Sequence, residues 1–129
     1  MCIDRGKGVK IASKDIKVYK VLINNGSTIF RNEKAYELHF SKIGKYSEDF
    51  DNIIKNKAIG FDKGFGFTVF KSKKIALLYK DRVAMYNFLP DLIIEEYKIP
   101  KGSRYESGKI QHGYIGSSLT TIRCEELIK

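Results

Sequence analysis

The sequence predicts an α+β fold: a mostly antiparallel sheet of five to seven strands, with one main helix at about residues 72–89 packed on one face. Three observations carry this. Runs rich in β-branched residues at Asp15–Ile23 and Leu92–Ile99 are bounded by turn residues. Between them, the spacing of apolar side chains changes at Ser72 from two to three and four, through Ile75, Leu78, Tyr79, Val83 and Tyr86. The chain also contains only one such helical stretch and no internal repeat or linker, so a single domain over residues 1–129 is expected.

Taken in order, the first eight residues carry no periodicity and read as a flexible arm or a short lead-in strand at Val9–Ala12. The run Asp15–Ile23 is a strand that ends at Asn24-Asn25-Gly26-Ser27, where Asn-Gly supplies the left-handed backbone of a tight hairpin turn, with Thr28–Arg31 returning. Lys34–Phe40 alternates as a strand does, although Tyr36, Phe40 and Ile43 also fit a helix. Residues 45–60 form a polar loop around Ile53-Ile54. Phe65–Phe70 is a strand by composition, Ser72 caps the helix, and Pro90 ends it. Leu92–Ile99 is again a strand, Pro100–Ser103 turns, and Leu119–Cys124 is the last strand.

The excess of 24 Lys+Arg over 15 Asp+Glu gives a net charge of +9, which attracts phosphates, acidic proteins or anionic surfaces. No apolar run approaches the roughly 18 residues that span a bilayer, and the start Met1–Arg5 lacks the apolar core of a secretion signal, so a cytoplasmic location is expected. Cys2 and Cys124 then read as two thiols. His39 and His112 have no nucleophile or metal-ligand motif beside them, and Glu48-Asp49 and Glu95-Glu96 are adjacent in sequence, which in a strand turns them to opposite faces. Neither a catalytic set, a cofactor nor a metal site is expected.

Two segments point to binding. After Pro100 and Gly102 shape a turn, Lys101, Ser103 and Arg104 present donors from one short loop, a candidate site for phosphate or carboxylate. The run Lys63-Gly64-Phe65-Gly66-Phe67-Thr68-Val69-Phe70 resembles the third-strand signature of the RNA recognition motif and departs from it only at Thr68. That resemblance implies base stacking by Phe65 and Phe67, with Tyr19 as the aromatic of the first strand and Lys63 holding the nucleic-acid backbone. The other reading of Phe65 and Phe67 is that they pack under the helix.

A second resemblance spans the chain. Met1-Cys2, Ile11-Ala12, Asp15-Ile16, Val18–Leu22, Gly64-Phe65, Phe70-Lys71-Ser72, Ile99–Tyr105, Gly108 and Tyr114-Ile115 resemble a family of small uncharacterised proteins of bacteriophages and mobile elements. The family often has Gly-Phe-His-Ser-Phe where this chain reads Gly64–Thr68, so its histidine is missing here. The resemblance implies a phage or mobile-element origin, which together with the lack of an expected catalytic set points to a non-enzymatic binding protein acting in the host cytoplasm. It would inhibit or sequester a component of host defence: a host protein or ribonucleoprotein, a nucleic acid or a nucleotide signal. A single-stranded RNA-binding domain is the alternative.

Overall fold

The structure, a computed structural model, describes residues 3–4, 8–23, 51, 54–58, 60–87, 92–110 and 119–129. Along them run β1 (Ile3–Asp4), β2 (Lys10–Ile11), β3 (Ile16–Ile23), a 3-10 turn (Phe61–Lys63), β4 (Phe67–Val69), α1 (Lys73–Asn87), β5 (Leu92–Ile99), β6 (Arg104–Ile110) and β7 (Thr120–Cys124). All named strand pairings are antiparallel, and the fold is α+β. The expected Asn24–Ser27 hairpin, the segment 28–44, His39, Glu48-Asp49, the helix stop at Pro90 and His112 lie outside the described residues.

One long bent ribbon organises the molecule. Lys10 faces Tyr105, Ile11 faces Arg104, and the same register resumes with Ile16 opposite Ile99 and continues to Ile23 opposite Leu92, leaving residues 12–15 against residues 100–103 at the bend. The bend is a tight turn: Ser103 N–H donates to the Pro100 carbonyl at 3.1 Å, and Gly102 has φ +89°, a left-handed backbone at the third position that a side chain opposes. Lys101 N–H is capped by Asp15 Oδ1 at 2.9 Å. The expected turn is therefore present, but it bends the ribbon, and the chain beyond it is a strand, β6, that the sequence reading did not assign. β1, in the supposed arm, is a second unforeseen strand, pairing Ile3 with Ile110.

Hydrogen bonds close this ribbon into a barrel-like circuit. β6 pairs β7, β7 pairs β4, and Phe70, just after β4, exchanges two 2.8 Å backbone bonds with Tyr19 on β3. β3 pairs β5, which continues into β6, and Ile128 bridges back to Lys98 on β5. Closure leaves the two faces of each strand in different surroundings. Val18, Leu22, Phe67, Val69, Tyr97, Ile99, Ile122 and Cys124 turn inward and form the main core. On the opposite face, Val21, Phe70 and Leu92 meet Ala76 and Tyr79 of α1, with the Phe70 and Tyr79 rings 5.0 Å apart. Ser72 Oγ accepts the Ile75 N–H at 3.2 Å, the N-cap expected from sequence.

Candidate functional site

The glycine-rich segment 60–66 folds as a lid over the outer face of β6 and β7, with a buried arginine beneath it. Arg123 is 3% exposed. It stands directly across the ladder from Glu106 and donates to Glu106 Oε1 from Nε at 2.8 Å and from Nη2 at 2.6 Å. Its Nη1 donates to the carbonyls of Phe61, at 2.6 Å, and Phe65. The guanidinium also lies 3.9 Å from the Phe61 ring centroid. Gly66 sits so close to β7 that a Cβ there would meet the Cys124 carbonyl at 2.8 Å. The segment that resembles a nucleic-acid signature is thus built into the fold by a buried ion pair.

This placement corrects the stacking expectation. Phe67 is 1% exposed and belongs to the barrel core, so it offers no face to a base, and it packs inside the barrel, where the alternative reading had put it beneath the helix. The residue under the helix is Phe70, one parity step away. Phe65 is half-buried, and Tyr19 packs at the edge of the helix cluster. The three aromatics do not form one open surface.

The expected anion loop is corrected as well. Arg104 donates from Nε and Nη2 to the two oxygens of Glu125 at 2.9 Å each, and from Nη1 to Asp62 at 2.8 Å. Its fork is filled by carboxylates of the same chain. That hydrogen bonding and charge draw the Glu125 carboxyl below the usual range and hold Arg104 above its own. Ser103 is buried, with no partner for its hydroxyl among the described residues, whereas Lys101 is exposed beside Asp15. Lys63 is exposed on the lid. The bend separates these side chains: its hydrogen-bonded turn buries Ser103, and the next residue turns toward Glu125.

The structure brings together lysines that no motif in the sequence singles out. Lys17 and Lys98 are direct cross-strand partners on β3 and β5, both exposed. They share the strand face on which α1 packs, and the Tyr19–Phe70 bridge sets Lys71 and the start of α1, with Lys73 and Lys74 exposed, beside that end of β3. Glu96 approaches Lys17 Nζ at 3.9 Å. The first turn of α1 holds no acidic residue. The signal legible in sequence was alternation: Lys17, Tyr19 and Val21 must share one face of a strand.

Among the described residues, no three His, Cys, Asp or Glu side chains gather as a metal site, and no helix is long and apolar enough to cross a membrane. No protein-family model, curated protein or solved structure matches the chain.

Proposed function

We propose that this protein is a non-catalytic basic binding protein, and that the face bearing Lys17, Lys98, Lys71, Lys73 and Lys74 meets an anionic partner, a nucleic acid or the nucleic acid of a ribonucleoprotein. The observation that carries this reading is the direct opposition of Lys17 and Lys98 on an exposed ladder. Like charges so placed repel and weaken a sheet. A polyanion lying over them, with Lys71, Lys73 and Lys74 alongside, turns that repulsion into attraction and releases counterions. In the phage or mobile-element setting that the sequence resemblance implies, occupying such a host component would inhibit or sequester it. A reading of the RNA-recognition-motif type lacks the exposed stacking pair, because Phe67 lies in the core.

The test is binding of a labelled single-stranded RNA, followed by anisotropy across a salt series. For single strands, each neutralised phosphate contributes about 0.7 to the slope of log affinity against log salt. Reversing both charges in Lys17→Glu/Lys98→Glu should lower that slope by about 1.4 or more and weaken binding, while Lys109→Glu, on β6, controls for the charge change of either single replacement. Equal affinity in the double variant and the parent would remove the cationic face as the binding surface.

A further inference from the structure

Among the described residues no strand pairs β2 on the side away from β6, and the chemistry of that edge is different from that of the lysine face. Ile11 is 68% exposed and Val9 50% exposed, the two most exposed large apolar side chains among the described residues. Val9 immediately precedes the strand Lys10–Ile11, and at strand spacing residues two apart share one side. Ala12 N–H donates inward to the Ser103 carbonyl at 2.9 Å, and Gly102 N–H donates to the Ala12 carbonyl at 2.8 Å. Backbone groups alternate in direction along a strand, so Ile11 turns its N–H and C=O groups away from β6, toward the open edge. Gly8, at φ +75° with nothing within 4 Å of a would-be Cβ, starts this stretch in open space.

We infer that residues 8–11 are a docking edge that takes a short extended segment of a partner protein by strand addition, with apolar side chains alternating with acidic ones. The apolar positions follow from Val9 and Ile11, which such a segment would cover from the adjacent strand position. The acidic positions follow from charge: Lys10 lies between the two apolar residues, and Lys14 and Lys101 are exposed at the bend just beyond. The same lysines disfavour pairing with a second copy, which would bring Lys10 against an identical row of cations; lysine on an edge strand is a common guard against such pairing.

The probe is a fluorescein-labelled hexapeptide of alternating valine and glutamate, followed by anisotropy with the full chain. A peptide of the same composition with three valines followed by three glutamates, and an alternating valine–lysine peptide, serve as comparisons. The alternating acidic peptide should bind at least tenfold more tightly than either, and Ile11→Asp should lower its affinity at least tenfold. Both side chains are largely exposed, so Ile11→Asp and Val9→Asp should keep the parent circular dichroism spectrum; Val9→Asp provides the same test should Ile11→Asp fold poorly. Equal binding of the block peptide would mean that charge alone attracts it, and unchanged affinity in both aspartate variants would place binding elsewhere; either overturns the inference. So would a dimer in sedimentation equilibrium that Ile11→Asp dissolves, because the occupant would then be a second copy. None of these readings involves RNA or Lys17 and Lys98, so the docking edge and the cationic face stand or fall separately.

Discussion

Replacing Arg123 with methionine should be among the most destabilising single changes in this protein. The side chain is 3% exposed and its partner Glu106 is 1% exposed. Methionine fills part of the volume and supplies no donor, so it leaves the Glu106 carboxylate without this partner and takes the Arg123 donor from the Phe61 and Phe65 carbonyls. Removing one member of a buried ion pair costs about 3–5 kcal/mol, most of it the burial of the charge left behind. At about 3–4 °C per kcal/mol for a chain of this size, the melting temperature should fall by roughly 10–20 °C. Arg123→Lys should recover little, since an ammonium cannot reproduce a planar fork that serves one carboxylate and two carbonyls at once. The double variant Arg123→Met/Glu106→Leu should recover a large part of the loss, because it removes both charges and leaves apolar side chains in their place. Urea denaturation of the parent, both singles and the double forms a complete cycle. A loss under about 1 kcal/mol for Arg123→Met, the range of exposed ion pairs, would refute a buried clamp on the 60–66 lid.

The strands with β-branched runs were legible because their two faces have separate roles. Val18 and Leu22 fill the barrel while Tyr19 and Val21 meet the helix, and that alternation is written in the residues of Asp15–Ile23. The helix was legible because its spacing changes at a good N-cap. β6 was not, because Arg104–Ile110 reads RYESGKI, with no apolar period. Its stability comes from three neighbours, β1, β2 and β7, and from a glutamate buried against an arginine far along the chain. Lys20 shows the same limit. It has the parity of Val18 and Leu22 and is fully buried, its ammonium donating to the Thr68 carbonyl at 2.8 Å. A pattern of residue types marks that position only as a break in an apolar face. The candidate site was misread for a related reason. Arg104 looks like a free anion fork until tertiary contacts bring Glu125 and Asp62 to it. The cationic face needed the register of β3 against β5, which no local rule supplies.

Phe67→Ala should cost about 3–5 kcal/mol by opening a cavity in the barrel, read as a fall in thermal midpoint; an unchanged midpoint would mean that the ring is outside the core. Asp51 ties the end of the chain down: Tyr97 Oη donates to its Oδ1 at 2.6 Å and Lys129 Nζ to its Oδ2 at 3.1 Å. The Tyr97 hydrogen bond, with Lys129 adding to it, holds this carboxyl below the usual range. A depressed carboxyl stabilises the fold above its unfolded pKa and loses that contribution as pH falls through the folded one, so the loss should begin near pH 4 and continue below it. Asp51→Asn should therefore narrow the gap between urea midpoints at about pH 7 and pH 3; an equal gap in both proteins would refute the assignment. The sharpest test of the ribbon's bend is Ser103→Ala. The residue is 4% exposed, and its hydroxyl has no partner among the described residues. The bend itself uses only its backbone, N–H to Pro100 and carbonyl to Ala12. Alanine keeps both bonds and removes a buried polar group whose desolvation is uncompensated, a burden of about 1–3 kcal/mol. Losing the oxygen also forfeits some packing, so the net expectation is a gain of about 1 kcal/mol in urea denaturation. If Ser103 instead served as an anion donor at the surface, alanine would leave stability unchanged and weaken binding of the single-stranded RNA probe. A loss of stability would show that the hydroxyl has a partner that holds the bend together.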